Sequence, residues 1–262
     1  MAKINIDKTD LINNPLSKVP VCLVLDCSPS MSGELKAGYE GEIPQTDPSP
    51  IEELNKGVNR FITSITGAFE RESIEVCIIA FSGQAREILP FTAIQDAEPP
   101  IIKWNDKNLL MEIVTDGYSN VGQGTSIGNA IKLALKKLSE RKILLKKGAG
   151  DYKQPQMIIL TDGNPTDKSH IDVSKTVREM VETRKLTVYA IGVGSGVNMD
   201  ILAMFNTEDR PPKKLKGLRF KQMFEFLSKT MGDIANAQPG KQIPYAFKDK
   251  DKIKETLKFA EE

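Results

Sequence analysis

The sequence predicts an α/β fold: a doubly wound, mostly parallel sheet of about six strands in the order 3-2-1-4-5-6, with one antiparallel edge strand and helices on both faces. Three observations lead there. Short apolar runs without polar alternation, VPVCLVL at 19–25 and IEVCIIAF at 74–81, read as strands buried on both faces. Between such runs lie stretches whose apolar residues recur at helical spacing. Strings rich in oxygen side chains or glycine stand directly after the runs, where the ligand sites of such sheets lie.

Each element follows in order. Residues 1–18 are polar and read as an arm, 19–236 as the domain, and 237–262 as a charged tail with a weak Ile253/Leu257/Ala260 stripe. The first strand stops at Asp26. Residues 34–50 are rich in Gly, Pro and acid and read as a loop that ends in Ser49-Pro50-Ile51-Glu52, a capping box with Pro at the first helical position. Ile51, Leu54, Val58, Phe61, Ile62, Ile65 and Phe69 then mark one amphipathic helix. The link Ser82-Gly83-Gln84 is short enough for a hairpin, so the third strand, 85–91, is predicted antiparallel. Leu109–Val114 fits a strand or a short helix. Further on, 126–138 is a helix, 157–160 a strand, Val173–Val181 a helix, 186–193 a strand, and Phe220–Ile234 a long last helix.

Composition narrows the function. The chain has 262 residues, Lys+Arg 36 against Asp+Glu 35, a net charge of +1, three cysteines and one histidine. A balance this close to zero lacks the basic field of a nucleic-acid binder. Three cysteines without a CxxC pair suit buried thiols in a reducing compartment. One histidine excludes paired-histidine metal sites. With neither a signal peptide nor a membrane-length apolar run, the expected location is cytoplasmic.

The chemistry stands at the strand ends. After the first strand comes Asp26-Cys27-Ser28-Pro29-Ser30, a DxSxS pattern. In a semi-extended loop residues i, i+2 and i+4 point the same way, so one carboxylate and two hydroxyls converge. These are hard oxygen ligands, suited to Mg²⁺ or Mn²⁺; the alternative is a Ser/Asp turn bonding its own backbone. Gly122-Gln123-Gly124-Thr125-Ser126-Ile127-Gly128 opens a helix, with Thr125 as a ligand or as a plain N-cap. Its glycine spacing misses the dinucleotide fingerprint, and no phosphate-loop motif occurs. Two strings, Thr161-Asp162-Gly163 and Thr115-Asp116-Gly117, offer a second carboxylate. Asp162 is favoured because it follows an unambiguous buried strand.

On these residues the chain resembles von Willebrand factor type A domains, and most closely bacterial proteins of the TerY/YegL type. The segments PVCLVLDCSPSMSGE, IEELNKGVNRFITSI, GQGTSIGNAIKLAL, LTDGNPTD and LKGLRFKQMFEFLSKTM carry the resemblance. It implies a metal-ion-dependent adhesion site built from Asp26, Ser28, Ser30, Thr125 and Asp162, holding Mg²⁺ or Mn²⁺. It further implies a protein–protein interaction module whose partner supplies an Asp or Glu ligand, in a stress-resistance (tellurite-type) or phage-defence system with a Ser/Thr kinase or PP2C-type phosphatase as partner. The 34–50 insertion and the length of 100–121 depart from the family pattern.

The competing reading is a Mg²⁺-dependent phosphatase or hydrolase using Asp26. Haloacid-dehalogenase-type enzymes need a second Asp two residues on, and here that position is Ser28, so a non-enzymatic module is expected. A Cys27–His170 pair is the other catalytic combination, but His170 enters a helix in a polar stretch and reads as a surface or capping residue. The basic run Arg210–Lys221 reads as a solvated approach to the last helix, and Phe220/Phe224/Phe226 as core.

Overall fold

The computed structural model describes residues 16–32, 49–105, 110–113, 119–120, 124–148, 150–194, 196–238, 244–249 and 251–261. Its strands are β1 (Val19–Asp26), β2 (Ile74–Phe81), β3 (Ala85–Ala93), β4 (Ile102–Asn105), β5 (Leu110–Ile113), β6 (Ser119–Asn120), β7 (Gln156–Thr161), β8 (Thr187–Gly192) and β9 (Lys213–Lys214). Six of them form one sheet in the order β3-β2-β1-β7-β8-β9. Counted along that sheet alone, this is the predicted 3-2-1-4-5-6. β1 pairs in parallel with β2 and β7, β7 with β8 and β8 with β9, while β3 runs antiparallel to β2 with two register shifts.

The unbroken apolar runs follow from burial on both faces. Along β1, Val19, Val21, Leu23 and Leu25 enter one core while Cys22 and Val24 enter the other. β2 divides likewise, Ile74, Val76, Ile78 and Ala80 against Cys77, Ile79 and Phe81. One core is roofed by α1 (Pro50–Thr63) and α6 (Phe220–Asn236), the other by α3 (Ile127–Lys147) and α4 (Ser169–Glu182), with the short α5 (Met199–Ala203) following β8.

The capping box predicted at 49–52 is present. Ser49 Oγ accepts from Glu52 N, and Glu52 Oε2 accepts from Ser49 N at 3.0 Å. The helix is shorter than its apolar spacing suggested. It ends at Thr63, Ser64 caps it, and Phe69 belongs to the separate six-residue α2 (Ala68–Ser73), where it is exposed. Gly67 in extended backbone separates the two. Conversely α3 runs nine residues past Leu138, through good helix formers. Its Lys137 and Arg141 turn back to Glu87 and Glu75 on the sheet, and Arg141 holds Glu75 with two nitrogens.

Residues 109–114, readable two ways, contain strand β5. It pairs with β4 and β6 in a second, three-stranded antiparallel sheet. The segment read as a charged tail also differs. Tyr245, Ala246, Phe247, Phe259 and Ala260 are buried in the first core; Tyr245 stacks on Tyr189 and Phe259 packs on Phe226. Lys216 N donates to Phe259 O at 2.7 Å and Glu261 N to Lys214 O at 2.8 Å, so the chain's last stretch closes the open side of β9. Charged residues between the aromatics hid this, and the expected stripe was displaced: Ile253 and Leu257 are exposed, while Phe259 and Ala260 are the buried pair. The basic run is solvated in its second half, where Lys216, Arg219 and Lys221 are exposed, but its first half is part of the sheet: Lys213–Lys214 is β9, and Lys214 pairs with Glu261. Among the described residues no helix is long and apolar enough to cross a membrane.

Candidate metal centre

Pairing of β1 with β7 sets Leu25 beside Leu160, so Asp26 and Asp162 emerge at neighbouring strand ends. Past Asp26 the chain turns into a short 3-10 helix, Pro29–Ser32. That turn brings both serines round to Asp162: Ser30 Oγ donates to Asp162 Oδ1 at 2.8 Å, Ser28 Oγ to the same oxygen at 3.4 Å, and the two hydroxyls lie 2.9 Å apart. Asp26 is fixed from both sides. Its Oδ1 accepts Ser28 N at 2.8 Å and its Oδ2 the Thr161 hydroxyl at 2.5 Å.

Thr125 arrives on the loop before α3. The loop after β2 holds that segment: Ser126 N donates to Ser82 O, Ser126 Oγ to Gly83 O and Ser82 Oγ to Gly124 O. The loop after β7 holds it from the other side. Thr125 N donates to Thr166 Oγ1, and Thr166 N to Thr125 O, both at 3.0 Å. The capping reading of Thr125 does not apply, since the N-cap of α3 is Ser126 and the free N–H groups of Gly128 and Asn129 are taken by the Asp167 carboxylate. The Thr125 hydroxyl takes part in none of these bonds and faces Gly163, where an added Cβ would lie 3.4 Å from it. All five residues of the expected ligand set therefore stand at one end of the sheet. Asp116 lies outside the described residues.

The electrostatics follow from burial. Asp26 is fully buried and Asp162 is 5% exposed. Loss of water raises the Asp26 carboxyl above its usual range against the pull of its hydrogen bonds. Asp162 is pushed up to about 7, first by burial and then by the charge of Asp26. Among the described residues no basic side chain is among the groups that chiefly act on either. Two buried carboxylates beside two or three hydroxyls, without a counter-charge, fit a small hard cation. Among the described residues no three His, Cys, Asp or Glu side chains converge, so a site here depends on its hydroxyls. Cys27 is fully buried: burial, and then Asp26, push its thiol well up, and its Sγ points to Leu25 O. His170 is engaged elsewhere, its Nδ1 lying 2.6 Å from Asp167 O.

The model of the von Willebrand factor type A domain matches residues 21–216. The chain belongs to that family. Solved structures of similar fold include proximal thread matrix protein 1 from the mussel byssus (TM-score 0.52, 16% identity, covering 83% of this chain and 48% of that one). A von Willebrand factor type A protein from Catenulispora acidiphila gives TM-score 0.54 at 14% identity over 82% and 43%, and BatB from Bacteroides thetaiotaomicron 0.51 at 18% over 84% and 100%. The chain thus spans less than half of the first two and the whole of the third. No curated protein sequence matches. The type A domain is a fold that often mediates metal-dependent protein interactions and is in general an interaction module.

Three residues of this type A domain's site escaped the sequence reading. Thr161 was visible only as the residue before Asp162, and its role at Asp26 needs the β1–β7 register. Thr166 and Asp167 sit in LTDGNPTD, yet their partners lie about forty positions away in sequence, at Thr125, Gly128 and Asn129.

Proposed function

We propose that Asp26, Ser28, Ser30, Thr125 and Asp162 hold a divalent cation, Mg²⁺ or Mn²⁺, and that the domain uses it for metal-dependent binding of a protein partner. One observation carries the reading: two buried carboxylates stand at neighbouring strand ends, the DxSxS hydroxyls turn onto one of them, and among the described residues no basic side chain is seen to pair with either. Held there, a divalent cation would supply the missing charge and Lewis acidity toward an incoming anion. The residues do the rest. Thr161 and the Ser28 N–H orient Asp26, the Pro29–Ser32 turn presents the serine hydroxyls, and the Thr166 bonds fix Thr125.

The ligand inventory gives five candidate oxygens, whereas Mg²⁺ takes about six in octahedral geometry. The open position is where a partner's Asp or Glu enters. The finer placement, in a tellurite-type stress-resistance or phage-defence system with a Ser/Thr kinase or PP2C-type phosphatase, is supported by the TerY/YegL-like segments alone, and gene neighbourhood tests it.

Calorimetry with Mg²⁺ and with Mn²⁺ on the parent and on Asp26→Ala is the direct experiment. The parent should bind one ion and Asp26→Ala none. Ser28→Ala and Ser30→Ala should weaken binding less, because water replaces a neutral hydroxyl but not a charge. A parent that binds neither ion, or an Asp26→Ala variant that binds as well as the parent, would end this reading.

A further inference from the structure

We infer that the small β4–β5–β6 sheet braces the turn carrying Ser30, and that Asn55 is the positioning residue holding this brace to the domain. The functional weight of the inference rests on the metal reading; its mechanics do not.

Asn55 lies half-buried on α1, outside the sequence's site motifs. Its Nδ2 donates to Ile102 O at 2.7 Å, and its Oδ1 accepts from Ile102 N at 3.1 Å. A side-chain amide carries a donor and an acceptor side by side, as a peptide group does, so Asn55 pairs with β4 as a neighbouring strand would. β4 pairs in turn with β5 over Ile102–Asn105 and Leu110–Ile113. β5 packs against the Pro29–Ser32 turn, which α1 also touches. Met31 is fully buried in the middle of that turn, in the same core as Leu54, Ile102 and Ile113.

Why the turn needs a brace follows from its length. It is a four-residue 3-10 helix, and such helices have few and poorly aligned hydrogen bonds of their own. Met31 N donates to Ser28 O at 2.9 Å. The direction of the Ser30 hydroxyl therefore depends on the walls around the turn: α1 on one side, β5 on another, the core beneath. Asn55 joins the two walls. Alanine there removes both bonds; aspartate keeps the acceptor for Ile102 N and loses the donor for Ile102 O.

The test is amide hydrogen exchange at Met31 in EDTA, together with Mn²⁺ titration calorimetry, on the full chain. Asn55→Ala should exchange roughly ten-fold faster at Met31 and bind Mn²⁺ several-fold more weakly, with Asn55→Asp between it and the parent. Ile62→Val, a core change near the far end of the same helix, is the control for general loosening and should move neither readout. Should Asn55→Ala fail to fold, Asn55→Asp against Ile62→Val decides alone. Unchanged Met31 exchange in the Asn55 variants, an equal response in Ile62→Val, or faster exchange with unchanged Mn²⁺ affinity would each overturn the inference. If the parent binds no Mn²⁺ while Met31 exchange still responds to Asn55, the metal reading fails and the brace stands.

Discussion

Asp162→Asn separates the cost of the buried charge from its use. In the metal-free protein burial and Asp26 raise the Asp162 carboxyl from 3.8 to about 7. Between those values the folded chain keeps a proton that the unfolded chain has lost, so stability falls as pH rises through the window. Below it both states are protonated and nothing is lost; above it the full cost is present. At 1.36 kcal/mol per pKa unit that cost is on the order of 4 kcal/mol. Asparagine has no charge to desolvate and still offers an oxygen to the Ser30 hydroxyl. In EDTA at pH 8 the variant should therefore be more stable than the parent, by about 2–4 kcal/mol, and its stability should change less between pH 4 and 7. With Mg²⁺ at about 100 times its Kd the parent should gain about 2.7 kcal/mol and the variant nothing. Urea unfolding at pH 5 and pH 8, with EDTA and with Mg²⁺, reads all of this. A variant less stable than the parent in EDTA at pH 8, or one with the parent's pH slope, would refute the view that Asp162 is an uncompensated buried charge.

Further outcomes are expected elsewhere. Arg141→Met leaves the Glu75 carboxylate, 3% exposed, without its partner, and should cost about 3–5 kcal/mol in urea unfolding; pairing it with Glu75→Leu should recover most of that loss. Gly57→Ala should destabilise by about 1–3 kcal/mol, because a Cβ there would lie 2.4 Å from Phe224 Cδ2, where α1 crosses α6. Phe259→Ala should cost about 3–5 kcal/mol, as expected of a core aromatic and not of a residue in a tail. Purified protein should not hydrolyse phosphate esters with Mg²⁺ or Mn²⁺; turnover that disappears in Asp26→Ala would restore the phosphatase reading.

The parts legible in the sequence are those set by local pattern. The runs at 19–25 and 74–81 are apolar throughout because they face two cores, and the order of the sheet followed from their alternation with helices. The gathering of Asp26, Ser28 and Ser30 at one strand end was readable because three residues on one loop carry their own spacing. Thr125 and Asp162 were readable from their positions beside a helix start and a strand end. What depended on distant partners was hidden. Glu75 interrupts an apolar strand for Arg141, sixty-six positions on. Tyr245 and Phe247 stand apart from Phe259 across a stretch rich in lysines and acids, so no period marks them. Asn55 looks like any polar residue on an amphipathic helix until Ile102 lies beside it.

The two outer strands of the main sheet bear on solubility. A long, flat edge with unpaired N–H and C=O groups invites another chain to add a strand. Here β3 has an irregular register and carries Pro90, Arg86 and Glu87, none of which suits a flat ladder. The other edge, β9, is two residues long and is already occupied by Phe259–Glu261. The sheet is thus guarded by sequence irregularity on one side and by its own returning chain on the other. Deleting residues 244–262 would remove the second guard, baring apolar Tyr189 and Phe226 together with the β9 ladder, and a protein shortened in this way should associate more strongly with rising concentration than the chain that keeps them.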